Sequence, residues 1–277
     1  MGDFADSQSH ACPVCRSTAV ASGPHLGRSC LDACSECSFR FARQAFETTV
    51  DYGELYDTPA YADDQVHSLL ETRDKSIFAH NPTYRPFFRN VPQVPGQRLL
   101  DVGCGVGRFC HAAHAQGWRV VGIDISPRAI EIGRRFAHFP LQQKSVAELV
   151  SERECFDVVT CFEVLEHLAA PREFLTTIVE VLTPGGHVFC TVPNWDCREV
   201  QTSTRPDWIP PVHLGFFTEK ALRCLAAEAG FRDFRTGRIG SDPFPAAGLA
   251  AAKWCIRRLL GRPRYPLGLW LHARSCA

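Results

Sequence analysis

The central part of the chain alternates short, continuously apolar runs with segments whose apolar residues recur every three or four positions. Continuous apolar runs are typical of strands buried on both faces, whereas the longer period is typical of amphipathic helices. This alternation predicts an α/β fold: a doubly wound, mostly parallel seven-stranded sheet covered by helices. The predicted strands include RLLDVG (98–103), RVVGIDI (119–125), FDVVTCF (156–162), HVFCTVP (187–193) and LGLWLHAR (267–274).

Helix start and stop signals fit the same division. Ser126 is a good N-cap residue, and Pro127 after it suits the first helical position. Thr218 precedes another helical period, which Gly230 ends. The predicted helices are GRFCHAAHAQG (107–117), SPRAIEIGRRFA (126–137), PREFLTTIVEVL (171–182) and EKALRCLAAEAG (219–230).

Two cysteine pairs mark the N-terminal segment as different from the rest of the chain. Cys12-x2-Cys15 and Cys34-x2-Cys37 are separated by 18 residues, a spacing typical of a four-thiolate zinc site. A tetrahedral zinc ion substitutes for the apolar core that so short a segment cannot build. We therefore expect structural Zn²⁺ on these four cysteines, with Cys30 as a spare thiol outside the site.

These signals divide the chain into three parts. Residues 1–45 are predicted to form the zinc-ribbon module, 46–95 a helical cap and linker, and 96–277 the α/β domain. Within the last part, the basic, alanine-rich stretch 246–264 predicts an amphipathic helix. That helix either packs on its own sheet or makes a weak contact with an anionic membrane surface.

Charge and cysteine content narrow the classes of partner. Thirty basic and thirty acidic residues cancel, so no overall field attracts nucleic acid or a membrane. The N-terminal module also holds too few arginines to follow a phosphate backbone. The sequence shows no secretion signal or membrane-spanning run, which favours a cytoplasmic location. Of the 14 cysteines, Cys155, Cys161 and Cys190 lie in or beside apolar runs and are expected to be buried, reduced thiols.

A glycine-rich loop follows the first predicted strand of the α/β domain. In the run LLDVGCGVGRF, Gly103, Gly105 and Gly107 allow a sharp turn and a close approach to a ligand. Arg108 stands where a dinucleotide fingerprint requires glycine, which disfavours a nicotinamide oxidoreductase. Asp124 ends the next strand, where a carboxylate can accept hydrogen bonds from both hydroxyls of a ribose. The alternative is a parallel-sheet protein in which the glycines only make a tight turn.

Four motifs in this order resemble the class I S-adenosylmethionine-dependent methyltransferases over about residues 50–240: LLDVGCGVGRF, VVGIDIS, FDVVTCFEVLEHL and LTPGGHVFCTVPN. The resemblance implies S-adenosylmethionine as cofactor, with the methionine part at the glycine loop, the ribose at Asp124 and the adenine at Ile125. Ser145 and Val146 stand where the family often has an acidic residue near the adenine. The implied cofactor-binding residues are Asp101, Gly103, Gly105, Gly107, Asp124, Ile125, Ser145, Val146 and Cys161.

Charged residues follow the third of these strands directly, in FEVLEHL. If the chain turns helical there, Glu163, Glu166 and His167 fall at i, i+3 and i+4 and point the same way. The run resembles that of ubiquinone-biosynthesis O-methyltransferases and of small-RNA 2′-O-methyltransferases. The latter bind a divalent metal through it with a further histidine, and His213 in HLGFFT sits in a comparable place. Three interpretations stay open: a site for a cation such as Mg²⁺, acid–base or substrate contact by His167 without a metal, and a structural role.

The expected function is methyl transfer to a small molecule, with a hydroxyl oxygen as the favoured acceptor. Its catalytic residues would be Glu163, Glu166, His167 and His213. The alternatives are C- or N-methylation of a nucleotide-linked sugar or an RNA base, and a non-catalytic zinc-ribbon interaction protein. The proline-rich segment 193–212 is either a substrate-selecting loop or a surface loop with aromatic anchors.

Overall fold

The computed structural model describes residues 11–46, 67, 69, 75–239 and 267–276. The strands are β1 (Val20–Leu26), β2 (Ser29–Cys34), β3 (Arg40–Phe41), β4 (Arg98–Val102), β5 (Arg119–Asp124), β6 (Leu141–Gln143), β7 (Phe156–Phe162), β8 (Leu182–Pro193), β9 (Gly215–Phe216), β10 (Arg232–Ile239) and β11 (Gly268–Arg274). The helices are α1 (Arg43–Phe46), α2 (Arg85–Asn90), α3 (Arg108–Ala115), α4 (Pro127–Arg134), α5 (Val146–Ser151), α6 (Pro171–Glu180), α7 (Arg198–Gln201) and α8 (Glu219–Glu228). Short 3₁₀ turns lie at Lys75–His80, Leu165–His167 and Pro206–Trp208.

The prediction of a mostly parallel, seven-stranded sheet is confirmed. Its strand order is β10-β11-β8-β7-β4-β5-β6. Strands β4 to β8 run parallel to one another, and β11 runs antiparallel to both of its neighbours. The chain order reverses beside β4, which pairs with β5 on one side and with β7 on the other. Such a switch point leaves a crevice outside the carboxyl ends of the strands, where ligands bind in open α/β sheets.

Side chains of the central strands alternate between two apolar layers. Leu99 and Val158 belong to one buried layer, whereas Leu100 and Val159, the next residue along each strand, belong to the other. All four are fully buried. Helix α3 covers the first layer, and helices α6 and α8 cover the second. This burial on both faces explains the continuous apolar runs in the sequence and fixes the strand ends that carry the candidate site.

The structure corrects several details of the predicted elements. The helix predicted over 171–182 ends at Glu180, because the chain is already extended from Leu182 at the start of β8. The segment 193–212 is partly ordered secondary structure, since it contains α7 and a 3₁₀ turn. Cys161 and Cys190 are buried as expected, but Cys155 is exposed because it lies before the first residue of β7.

The basic stretch 246–264 lies outside the described residues, so its predicted amphipathic helix stays a prediction. In the described part of the chain, no helix combines the length and the apolar character needed to cross a bilayer.

A second sheet joins the N-terminal segment to the rest of the fold. Its order is β1-β2-β3-β9, so a strand from the middle of the α/β part completes the N-terminal sheet. Arg40 pairs with Phe216 and Phe41 with Gly215, both antiparallel. Cys12, Phe39 and Phe41 also share one apolar cluster with residues of α8. The division at residues 45 and 95 stays a prediction, but the N-terminal module is packed against its neighbour rather than standing apart.

Candidate functional site

The glycine loop between β4 and α3 is shaped by positive φ angles and close contacts. Gly103 has a φ of 72°, and a Cβ at this position would lie 2.6 Å from Cγ2 of Val164. Gly105 also has a positive φ, of 53°, and its N–H donates to Oδ2 of Asp124 at 2.8 Å. The backbone angle favours glycine at both positions, and at Gly103 the space does so as well, so the loop backbone can approach a ligand closely.

Two aspartates, Asp101 and Asp124, lie at the carboxyl ends of β4 and β5. Asp124 accepts hydrogen bonds from the N–H groups of Gly105 and Ser126, both at 2.8 Å. Asp101 lies deeper and accepts a hydrogen bond from the Thr160 hydroxyl at 2.7 Å. Burial raises the pKa of Asp124 and raises the pKa of Asp101 to about 7. Asp124 thus bonds the loop directly, whereas Asp101 bonds to β7.

A cavity of about 520 Å³ opens at the carboxyl ends of β4, β5 and β7. The apolar side chain of Ile125 lines this cavity and is 60% exposed. Asp101, Gly107 and Cys161 do not line the cavity; the thiol of Cys161 instead packs in the core, 3.0 Å from the sulfur of Cys190. The predicted residues that do line it are Gly103, Gly105, Asp124, Ile125, Ser145, Val146, Glu163 and His167.

The FEVLEHL run does not form the helix that its spacing suggests. β7 ends at Phe162, Glu163 follows with a φ of 55°, and Leu165–His167 is a single 3₁₀ turn. As a result, the carboxylate of Glu163 turns towards β8, where it accepts a hydrogen bond from the Thr191 hydroxyl at 2.8 Å. The predicted trio of Glu163, Glu166 and His167 is therefore divided between two places.

Glu166 and His167 instead meet His213, which comes from a segment 46 residues further along the chain. One ligand atom from each of the three side chains lies within 4.8 Å of the other two. The Nδ1 of His167 is 3.0 Å from the carbonyl oxygen of Val212; a carbonyl only accepts, so Nδ1–H donates and the lone pair resides on Nε2. Glu166 is 1% exposed, and neither of its carboxylate oxygens has a hydrogen-bond partner among the described residues.

The fold and these motifs are those of a known family. The methyltransferase domain family matches residues 56–235, which is more than half of the chain. The chain belongs to the methyltransferase domain family. The resemblance noted from the sequence is thereby confirmed.

Curated relatives of the chain are ubiquinone biosynthesis O-methyltransferases. The protein from Hahella chejuensis is 32% identical over 130 residues, which are 45% of this chain and 55% of that protein. The protein from Idiomarina loihiensis is 29% identical over 184 residues, 61% of this chain and 76% of that protein. The chain thus spans about half the length of the first of these relatives and about three quarters of the second.

Solved structures share the fold of this chain at low sequence identity. An S-adenosylmethionine-dependent methyltransferase from Mesorhizobium loti has a TM-score of 0.53 and 18% identity, covering 72% of this chain and 100% of that one. Phosphoethanolamine N-methyltransferase 2 from Haemonchus contortus, in complex with S-adenosyl-L-methionine, has a TM-score of 0.56 and 16% identity. That match covers 86% of this chain and 62% of the other. At such identities the likeness establishes the fold alone.

Burial shifts the pKa values of the acidic and histidine side chains at this site. Desolvation raises the pKa of Glu163 to about 6 and the pKa of Glu166 well above its ordinary value, and the nearby Glu163 charge adds to the second effect. Desolvation also lowers the pKa of His167, and it lowers the pKa of His213 to about 3. Perturbed groups of this kind, gathered beside a cavity, are typical of functional sites.

The four cysteines of the N-terminal module lie together with the geometry of a thiolate site. Cys12 and Cys37 have their sulfurs 3.5 Å apart, as do Cys15 and Cys34, and all four sulfurs lie within 4.8 Å of one another. A tetrahedral Zn–S₄ centre places its sulfurs roughly 3.8 Å apart, whereas a disulfide needs about 2 Å. All four cysteines are free, and Cys30 is outside the cluster. The donor set therefore fits zinc.

Sequence reasoning missed the groups that fix the catalytic candidates in place. Thr191 orients Glu163, and the carbonyl of Val212 orients His167. Neither residue stands out in the sequence, because Thr191 looks like an ordinary strand residue and a backbone carbonyl leaves no signature. The contact between Glu163 and Thr191 depends on the register of β7 against β8, which pairs Phe162 with Thr191.

Replacing Asp124 with asparagine is expected to weaken S-adenosylmethionine binding by about 10- to 100-fold. The amide can keep one of the two backbone hydrogen bonds that Asp124 accepts. It loses the negative charge to which ribose hydroxyls would donate, and the lost hydrogen bonding costs roughly 1.5–3 kcal/mol of binding free energy. Isothermal calorimetry measures the affinity without any acceptor. The matched control is Glu131→Gln on the exposed face of α4, expected to bind as wild type. An Asp124→Asn affinity within threefold of wild type would remove Asp124 from the cofactor site.

Proposed function

We propose that this methyltransferase transfers the methyl group of S-adenosylmethionine to a hydroxyl oxygen of a small molecule, with a divalent cation held by Glu166, His167 and His213. The observation that carries the proposal is the Glu166 carboxylate, which is buried and has no hydrogen-bond partner among the described residues. One of its oxygens lies within 4.8 Å of a ring nitrogen of His167 and of His213. A buried carboxylate without a partner is costly, so it is paired with hydrogen bonds or a cation or else takes up a proton, and a bound cation would keep Glu166 ionised despite its raised pKa. A mixed carboxylate and imidazole set suits Mg²⁺, Mn²⁺ or Zn²⁺.

The cavity fits the cofactor. Gly103 and Gly105 have positive φ angles that expose the loop backbone to the cavity, and Asp124 presents a carboxylate beside them. Ile125 offers an exposed apolar face for a planar ring. When bound, S-adenosylmethionine supplies a methyl group already activated by its sulfonium charge. The protein then has to align an acceptor with that carbon and to keep water away, for which the apolar lining of Phe162, Val164 and Phe174 is suited.

The acceptor hydroxyl must lose its proton, because a neutral alcohol or phenol is a weak nucleophile. A divalent cation supplies Lewis acidity that lowers the pKa of a hydroxyl. His167 lines the cavity and also belongs to the Glu166 cluster, so it connects the two. The hydrogen bond from its Nδ1 to the Val212 carbonyl places the proton on Nδ1, so Nε2 is the ring nitrogen that would bind a proton or a cation. The names of the curated relatives favour oxygen as the acceptor atom.

The N-terminal cysteines are proposed to hold a structural zinc ion. Two backbone loops, Cys12–Ser17 and Cys34–Phe39, have the same form: an N–H of the first cysteine bonds a carbonyl five residues later. Arg16 and Ser38, each directly after a cysteine pair, both have positive φ angles. Such paired turns present four sulfurs to one centre, and closed four-thiolate sites are structural rather than catalytic.

Turnover on an acceptor panel tests the proposal. Phenols and catechols, nucleotide-linked sugars and short RNAs are incubated with S-adenosylmethionine, and release of S-adenosylhomocysteine is measured. We expect turnover on a small hydroxyl acceptor that chelation reduces at least 10-fold and Mg²⁺ or Mn²⁺ restores, with zinc content checked throughout. Chelator-insensitive turnover that His167→Ala abolishes would replace the cation with acid–base catalysis. Methylation of RNA or of a sugar carbon or nitrogen alone would overturn the hydroxyl assignment.

A further inference from the structure

The segment that carries His213 is held from two sides. On one side, the Leu214 N–H donates to the Glu166 carbonyl at 2.7 Å, and the Val212 carbonyl accepts from His167. On the other side, the Leu214 carbonyl accepts from the Ala42 N–H at 2.9 Å. Strand β9 then continues this contact by pairing with β3. A single extended segment therefore connects the Glu166 cluster with the cysteine module.

Phe39 forms the side-chain part of this connection. It lies two residues after Cys37, and its carbonyl accepts the Cys34 N–H at 2.9 Å, so the cysteine turn fixes its backbone. The ring is 1% exposed and lies 4.7 Å from the ring of Phe217. It also fills the space over Gly215, where a Cβ would come within 2.8 Å of its Cζ. Gly215 is two residues from His213, so the position of the Phe39 ring limits where that histidine can lie.

We infer that the cysteine module is a positioning element of the active site, in which Phe39 seats Gly215 and the β3–β9 pairing and thereby holds His213 beside Glu166 and His167. This inference rests on the proposed function for the role of the cluster. It gives the module a role beyond zinc binding, because β3 and Ala42 of the module bind the segment that carries His213. Phe39 and Gly215 are positioning residues: neither lines the cavity, and neither belongs to the Glu166 cluster.

A double-mutant cycle on the full chain tests the inference. Gly215→Ala adds a methyl group against the Phe39 ring, whereas Phe39→Leu removes the ring that the methyl group meets. We expect Gly215→Ala to lower Mn²⁺ affinity about 10-fold by calorimetry, with zinc content unchanged, since Mn²⁺ competes poorly for thiolates. In the Phe39→Leu background the same alanine should cost less than twofold. Equal losses in both backgrounds, or no loss in either, would contradict the inference.

A second readout does not need the cation. Histidine ring correlations in nuclear magnetic resonance spectra, assigned with His213→Gln, report the surroundings of His213 directly. Gly215→Ala should shift the His213 signals. Adding Phe39→Leu to Gly215→Ala should return these signals towards their wild-type positions. If wild type binds no Mn²⁺ but these shifts occur, the proposed cation site fails and the positioning role stands. If wild type binds Mn²⁺ but the His213 signals stay in place, the positioning role fails.

Controls separate positioning from general loss of stability. Ile178→Val removes a methyl group from the buried face of α6, in the same apolar cluster as Phe39 but outside the β3–β9 pairing, and should lower stability. Arg28→Ala changes an exposed residue at the β1–β2 turn of the same module. Both should retain wild-type Mn²⁺ affinity and His213 signals, and a similar shift in Ile178→Val would overturn the assignment. Should Gly215→Ala be insoluble, the double variant must recover soluble protein; a double variant that stays insoluble counts against the inference.

Discussion

The Cys12→Ser/Cys37→Ser variant is expected to purify without zinc and to unfold far below the wild-type melting temperature. Structural zinc bound by four thiolates contributes on the order of 10 kcal/mol of apparent binding free energy, and this energy is available only to the folded module. A typical domain is stable by only about 5–15 kcal/mol, so such a loss is large. Because Cys12 and Cys37 share an apolar cluster with α8, the destabilisation should extend beyond the N-terminal module. Metal analysis and thermal unfolding measure both effects.

The matched control for this variant is Cys30→Ser. Cys30 lies in the same module, is half-buried, and belongs to no cysteine cluster. Its thiol makes only long contacts with the carbonyls of Gly23 and Leu31, at 3.8 and 3.9 Å. It should keep stoichiometric zinc and melt within a few degrees of wild type. If the double variant also keeps its zinc, the four-thiolate assignment is wrong.

Replacing Glu166 with glutamine should weaken divalent-cation binding by at least about 100-fold while leaving the fold intact. Loss of groups that merely orient ligands costs about 10- to 100-fold in metal affinity, so loss of a ligand charge should exceed that. Glutamine has nearly the same volume, and it removes a buried carboxylate that has no partner among the described residues. The melting temperature without cation should therefore stay the same or rise. Mn²⁺ calorimetry and thermal unfolding of one preparation test both parts.

Glu163→Gln distinguishes the structural grouping from the one expected from sequence spacing. If the cation is held by Glu166, His167 and His213, Glu163→Gln should change Mn²⁺ affinity far less than Glu166→Gln does. Equal losses would show that Glu163 leaves Thr191 and joins the site. A wild-type Mn²⁺ affinity in Glu166→Gln would remove the cation from the proposal.

The elements with strong local signals could be predicted from the sequence. Buried parallel strands are continuously apolar, and the glycine loop needs glycine for its backbone angles at Gly103 and Gly105. Ser126 caps α4 as expected, accepting a hydrogen bond from the Ala129 N–H at 3.1 Å. The four cysteines met because their spacing encodes two identical turns. In each case the cause lies within a few residues of the feature.

The grouping of Glu166, His167 and His213 depends on long-range information. Counting along a helix placed Glu163 with Glu166, but a left-handed residue at Glu163 and a 3₁₀ turn separate them. No residue type in FEVLEHL announces that backbone angle. His213 was found through a motif resemblance, yet its contact with Glu166 depends on a segment bounded by β3, which belongs to another part of the chain. Spacing rules cannot supply a contact between segments so far apart.

The β3–β9 pairing has a consequence for how the chain folds as it is synthesised. About 175 residues separate the two strands, so at roughly 5–20 residues per second the ribosome needs about 10 to 35 s to supply β9 after β3 has emerged. Throughout that interval β3 is an unpaired sheet edge, the kind of surface on which nascent chains aggregate. Early capture of zinc by the first 37 residues would keep this edge short and anchored until its partner arrives. If the four cysteines bind zinc as proposed, the order of synthesis would give that ion a role before β9 has been made.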